Sequence, residues 1–478
     1  MRSRLFKLRF STMLAGLAAL IAAGPALAGG SIVLTSANNI QATINSGLYD
    51  EIILSAGVYN QTIMINAANA PLTIRSMDPA DQATVDSTIL DGQFLGDSVI
   101  TVMSGTGSDM VFDGLTIRNG EALGGSPDDR GGGINCQTAS PTVRRCVFLD
   151  NDASFAGGAF YVNAGLPVVE DCTFIGNMAP LGGAVYCNNS TVQFMRCYFE
   201  ANSASNEGGA CRLVGGSYSF EQCEFFDNDS VNFGGAIAVR TTAMLTVSRC
   251  LFESNFSGDG GANGRGGAIL HDGSDNAVVE NSVFRNNAVT QFGASIYTFQ
   301  TITVRNTTHY GDTAGAGNVF SIPTGGLLNL HNSVVWAFVG GDAISVSGSK
   351  VVTHSNIQGG WAGTGNIGAD SGDEPLFADA ANGDFRLLPG SAGIDAGDTT
   401  KVPGQYPVDY DGLPRAIDDP DMADSGIAMV ALSVDMGAFE LQVEPAPPMP
   451  QCPGDVDGSG VVDVTDLLAL LAGWGACP

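Results

Sequence analysis

Lysine is nearly missing: the 478-residue chain holds 20 basic residues, of which only Lys7, Lys350 and Lys401 are lysines, against 49 acidic ones. A net charge of −29 excludes nucleic acid as a partner, because phosphate binding needs clustered lysine and arginine. It suits a protein that meets divalent cations. Histidine is scarce too, and His271, His309, His331 and His354 leave few candidates for acid–base work. No long apolar run follows the first 28 residues, so the expectation is a chain with no membrane span. Charged residues are only 14 %, yet a hydrophobic content of 44 % is ample for a core and argues against disorder.

Residues 1–28 read as a secretory signal. Arg2, Arg4, Lys7 and Arg9 supply the positive start, Met13 to Ala23 the apolar stretch, and Ala26-Leu27-Ala28 the small-residue cleavage pattern. Cleavage near Ala28 removes four bases and no acid, leaving 16 against 49, or −33. The mature chain is therefore expected to be secreted or held at the cell surface.

What the chain has in abundance is repetition. Phe-x-x-Asn occurs at Phe148, Phe174, Phe199, Phe225, Phe252 and Phe284, mostly 25–27 residues apart. Gly-Gly-Ala keeps pace at Gly157, Gly182, Gly208, Gly234 and Gly266. That period, rich in β-formers and glycine, is the mark of a solenoid. Aligned on Cys146, Cys172, Cys197, Cys223 and Cys250, the apolar columns alternate within each strand and break at a two-residue corner. Three short strands and three turns per coil describe an all-β right-handed parallel β-helix over residues 29–368. It should run to about Ile367 in a dozen coils, a rod of roughly 60 Å at the spacing of paired strands. Asn151 and its successors should stack in a ladder of side-chain amides. Corner pairs such as Arg144-Arg145, Glu170-Asp171 and Met195-Arg196 tend to alternate in charge from coil to coil, which stacked strands favour. Upstream, Ser36 to Ile44 reads as a capped helix closing the first coil, followed by strands at 51–54, 63–65 and 72–74.

These motifs resemble known families. Gly-Gly-Ala with Phe-x-x-Asn, from Gly131 to Asn287, resembles the repeats of polymorphic bacterial outer-membrane adhesins. Asn39 to Ile44 through Gly57-Val58-Tyr59 is similar to the opening of pectin-lyase-like β-helix proteins. Residues 369–443, with Ile394-Asp-Ala-Gly-Asp398 and Asp409-Tyr-Asp-Gly-Leu-Pro-Arg415, resemble the segment closing exported β-helix proteins with interchangeable C-terminal anchors. That segment is rich in aspartate (Asp384, Asp395, Asp398, Asp409, Asp411, Asp435); a structural Ca²⁺ and plain acidic turns are both open readings.

The strongest chemical signal is C-terminal, after a Pro-rich linker at 444–451. Asp455, Asp457, Ser459, Val461 (through its carbonyl), Asp463 and Asp466 stand at the positions where an EF-hand loop offers oxygens to Ca²⁺, with Gly460 at the sharp turn. The module 452–478 resembles a single dockerin repeat, which implies Ca²⁺ as cofactor and a cohesin-like partner; dockerins usually carry two repeats and this chain has one. The resemblance to cysteine-flanked tails implies a Cys452–Cys477 disulfide, closing a loop of ~25 residues worth about 3 kcal/mol. The other eight cysteines are open between disulfides and buried thiols.

No catalytic residue is assigned. Lyases on this fold need a basic residue near bound Ca²⁺ and hydrolases need paired carboxylates, yet Lys350 sits in a turn and Lys401 in the closing segment. His309 falls in the inward Phe column, and His331 and His354 fall at corners. His271-Asp272 is the one His–carboxylate dipeptide. Two insertions, Glu121–Arg130 and Gly258–Arg265, break the repeat at the same corner, and Asp128-Asp129-Arg130 is the best carboxylate cluster there. The leading expectation is a non-catalytic β-helix for adhesion or polysaccharide contact, anchored through its calcium-binding tail. The alternative is a secreted polysaccharide lyase or glycoside hydrolase.

Overall fold

In a computed structural model, residues 29–442 are described, apart from 260–262, 316, 346, 371, 403, 405–406 and 429–431. The signal, the linker, the calcium loop with Asp455 to Asp466, and the Cys452–Cys477 pair lie outside the described residues.

Residues two apart in sequence turn inward together, because side chains alternate across a strand. Val143, Cys146 and Phe148 are buried while Arg144 and Val147 between them are not. Successive coils pair in register and in parallel: Val147–Leu149 with Thr173–Ile175, that strand with Tyr198–Glu200, and so on. The result is a right-handed parallel β-helix with sheets of 20, 12 and 8 strands around one continuous core. The 12-stranded sheet receives one strand per coil, so the expected dozen is found.

Inside, like sits on like. The rings of Phe148, Phe174, Phe199, Phe225, Phe252 and Phe284 stack 4.7–4.8 Å apart, and His309 extends the file at 4.6 Å. Asn151, Asn177, Asn202, Asn228, Asn255 and Asn287 are fully or almost fully buried, and each Nδ2 donates to the Oδ1 of the next at 2.9–3.0 Å. Each backbone N–H does the same, so one side chain satisfies a turn and a neighbour together. The file ends on Asp312, which accepts from Asn287 and from Ser295.

The cysteine column has a role that sequence left open. Among the described residues all eight thiols are free and buried. Cys223 Sγ accepts the Cys197 N–H at 3.5 Å and Cys250 Sγ the Cys223 N–H at 3.3 Å. Ser282 takes the same place for Cys250 at 3.1 Å, which explains why sulfur and hydroxyl exchange along this column.

Each regular coil has four stacked left-handed positions, one more than the three turns expected. Gly157 and its equivalents hold one (Gly157 φ 61°), where a Cβ would meet the Phe160 carbonyl oxygen at 2.5 Å. Arg145, Asp171 and Arg196 hold a second and Asp150 and Ala201 a third. The fourth, at Thr138, Ala164, Asn189, Gly215 and Thr241, folds the long sheet into two strips. Its residue types share nothing, so no pattern announces it.

Helix α1 (Ile40–Ser46) plugs the first coil with Ile40 and Ile44, and Asn39 caps it, accepting the Ala42 N–H at 2.7 Å. A strand ahead of it, Gly30–Leu34, forms the true sheet edge against Tyr49–Leu54. Trp361 packs on the core near its other end. The closing segment runs back along the side of the rod rather than sealing its end. Phe385, Ala438 and Phe439 pack on Val283 and Tyr310, outward residues of the 12-stranded sheet, while Ala396 and Met436 pack on Val334. Asn332 accepts the Asp398 N–H at 2.8 Å and donates to its carbonyl at 3.0 Å, clamping the segment to a coil corner. No described helix is long and apolar enough to cross a membrane.

Candidate functional site

Charged residues at the coil corners are mostly engaged with one another. Arg144 and Arg145 both hold Asp113, at 2.8 and 2.6 Å; Arg196 holds Asp171 at 2.7 Å and Arg305 holds Glu280 at 2.7 Å. Each pair joins neighbouring coils, so the expected alternation of charge is a structural device. His331 bonds Thr353 Oγ1 at 2.8 Å within this corner file, and His354 falls one position later, level with Asn332.

The remaining catalytic candidates are spent in the same way. His271 and Asp272 are neighbours on a strand and therefore face opposite sides. His271 is fully buried beside Thr298 at 3.1 Å, and burial pushes its imidazole down to about 4; Asp272 lies outside, on Arg240 at 2.7 Å. The Lys350 ammonium donates to the carbonyls of Ser345 at 3.0 Å and Gly348 at 3.2 Å. His309, Ser295 and Asp312 form a hydrogen-bonded chain, with His309 Nδ1 to Ser295 Oγ at 2.9 Å, but all three are buried inside the coils where no substrate reaches. Burial holds His309 down at about 3 and Asp312 up at about 7.

What remains is the outer face of the long sheet. One outward row runs Met64, Thr101, Asn135, Tyr161, Tyr186, Arg212, Ala238, Leu270, Tyr297. The two insertions rise beside it. Arg130 and Arg265 stand in one bridge row five coils apart, through Ala156, Leu181, Glu207 and Phe233.

Between the insertions the row is a packed stripe. The Arg130 guanidinium lies 5.2 Å from the Tyr161 ring centroid, donates to its hydroxyl at 3.1 Å, and pairs with Asp129 at 3.1 Å. Tyr161 stacks on Tyr186, whose hydroxyl accepts from Arg212 at 3.0 Å. Glu207 then bridges Arg212 at 2.7 Å and Arg240 at 3.0 Å. Burial alone would raise the Glu207 carboxyl, but the two guanidiniums outweigh it and hold it below its usual range. Tyr161 and Tyr186 are only 2 % and 8 % exposed, so their faces are closed to a ligand.

Toward the N-terminus the same row opens into a cleft of about 630 Å³. Its floor carries Met64, Thr101, Asn135 and Gln137; Gln41 and Asn45 of α1 wall one end, and Pro127 and Asp128 of the first insertion the other. Asn135 Nδ2 donates to the Pro127 carbonyl at 3.0 Å, which ties the insertion to the floor. Gln41 is held by the Met64 backbone at 2.7 and 3.1 Å. Amides and hydroxyls dominate, with two carboxylates, Asp97 and Asp128, and no cationic side chain among the described residues of the lining. Of the acidic insertion Asp128-Asp129-Arg130, only Asp128 faces this space. The cleft escaped sequence reading because its walls come from residues more than 80 apart.

No curated protein matches this sequence. Among solved structures it is similar to a crystal structure of pectate lyase Pel9A, with TM-score 0.39 and 13 % identity over 86 % of this chain and 96 % of that one, a likeness too slight to carry an argument. A family model described as a right handed beta helix region matches residues 77–252.

Proposed function

We propose that the chain is a secreted or cell-surface β-helix that contacts a polysaccharide without cleaving it, through the cleft between α1 and the first insertion. One observation carries this reading: a cleft that presents fixed amides and hydroxyls and no cation matches a neutral, hydroxyl-rich glycan better than a polyanion. The self-paired arginines and the buried histidines support a contact surface over a catalytic one. Residues 452–478 would tether the rod through Ca²⁺ held by Asp455, Asp457, Ser459, Val461, Asp463 and Asp466, with a cohesin-like partner.

The test is calorimetric titration with neutral and uronate-containing oligosaccharides. Neutral glycans should bind, and Thr101→Ala with Asn45→Ala should weaken them about tenfold or more. Unchanged affinity in that variant, or binding of uronates alone, would remove the cleft from the account. Asp97 and Asp128 favour the second reading, a glycoside hydrolase. Release of reducing ends that disappears in Asp97→Asn would establish it.

A further inference from the structure

The closing segment gathers more negative charge than its few cations, Arg386, Lys401 and Arg415, can balance. Asp395, in a turn at φ 52°, meets Asp418 and Asp424 from the following loops, and one carboxylate oxygen from each lies within 4.8 Å of the others. Acidic groups at a surface often cluster without consequence, and Asp418 and Asp424 are exposed. Asp395 differs. It is 1 % exposed, its Oδ2 accepts the Asp419 N–H at 3.1 Å, and its Oδ1 is buried with no hydrogen-bond donor among the described residues. An ionised oxygen sealed from water and left unanswered is costly, by several kcal/mol in order of magnitude. The fully buried Arg415 donates to the Gly437 carbonyl, stands 3.9 Å from Glu440 and attracts Asp409 and Asp435, so its charge is already shared among three other carboxylates.

We propose that Asp395, Asp418 and Asp424 bind a divalent metal ion, Ca²⁺, that locks the loops of the closing segment to one another. A separation of up to 4.8 Å suits oxygens on opposite sides of an ion at the 2.3–2.6 Å of Ca²⁺–oxygen bonds. Two of the three ligands sit on exposed loops, an irregular and open arrangement that Ca²⁺ tolerates and Mg²⁺ does not. Three carboxylates, with water or carbonyl oxygens completing the shell, place the affinity near the 10⁻⁴–10⁻³ M order of extracellular Ca²⁺ modules. This site is separate from the C-terminal loop, and it would anchor the fold rather than the cell attachment.

The deciding comparison uses the full chain carrying Asp455→Ala and Asp466→Ala, to silence the tail, with and without Asp418→Asn and Asp424→Asn. Both added changes are at exposed positions, so folding should persist, checked by an unchanged Tm in EDTA. Calorimetric titration with CaCl₂ should show one ion more in the parent than in the variant. Equal stoichiometry and affinity in the two proteins, or no Ca²⁺ bound by the parent, would overturn the proposal. A second variant, Asp395→Asn, should lose the same ion while folding in EDTA at least as well as its parent, since it removes the uncompensated buried charge. Retention of the ion by that variant would also overturn it.

Discussion

The coils and the closing segment solve the same problem in opposite ways. Both bury polar groups. In the coils, translation by one rung brings an identical or complementary group to each side chain, so Asn202 both donates to Asn228 and accepts from Asn177. In the closing segment nothing repeats, and every buried charge needs a partner of its own. Burial raises the carboxyls of Asp409, Asp435 and Glu440, and the fully buried Arg415 has no hydrogen-bond acceptor for Nε and Nη1 among the described residues. Repetition supplies satisfaction cheaply; irregular structure must find it residue by residue, or recruit an ion.

The sharpest way to break that comparison is to interrupt a ladder. Asn228→Ala removes the acceptor for the Asn202 N–H and Nδ2 and the donor to the Phe199 carbonyl, all buried. Denaturant unfolding should show a loss of about 3–5 kcal/mol, with two or more buried groups left unpaired. A loss below about 1 kcal/mol would mean the ladder matters less than the stacking beside it.

The ladder's end sharpens the contrast through pH. Asp312 stands where the repeat calls for asparagine, faced by His309, which burial keeps neutral, and by the uncharged Asn287 and Ser295. Its carboxyl is raised to about 7 in the fold, above its unfolded value near 4, so the stability it contributes is present below pH ~4 and lost as pH rises through about 7. Asp312→Asn should therefore be more stable than its parent by about 1–3 kcal/mol at pH 8, with little difference near pH 4, measured by urea unfolding at both values.

The smallest effect is expected in the cysteine column. Cys223→Ser preserves the acceptor for the Cys197 N–H and should cost under about 1 kcal/mol, whereas Cys223→Ala leaves that donor unanswered and should cost about 1–3 kcal/mol. Equal effects in thermal unfolding would reduce the column to packing alone.

Sequence made the rod legible because its signals recur. A column from Phe148 to His309 needs no single residue to be decisive, and the dozen coils follow from the count. What depended on one distant meeting stayed hidden. Tyr310 packs on Phe385, 75 residues on and outside any period, so the segment's return along the rod left no mark in the pattern. Asp312 was readable in principle: His309-Tyr310-Gly311-Asp312 is a seventh Phe-x-x-Asn with both ends changed, and its departure from the motif disguised it. Of the cleft, the helix carrying Gln41, the strand carrying Met64 and the insertion carrying Asp128 were each visible, but not that they meet. Of the three aspartates that converge in the closing segment, only Asp395 was among those the sequence singled out; Asp418 and Asp424 were not, because their meeting depends on how the loops at 395, 418 and 424 fold.

Amide hydrogen exchange on the full chain, with and without Ca²⁺, tests the central contrast most directly, since it reads each region separately. Ca²⁺ should slow exchange around 395–398 and 418–427, and in the tail, while coil strands such as Tyr198–Glu200 stay as protected as before. Equal slowing along the coils, or no change in the closing segment, would contradict a self-sufficient rod held to a segment that needs a cation.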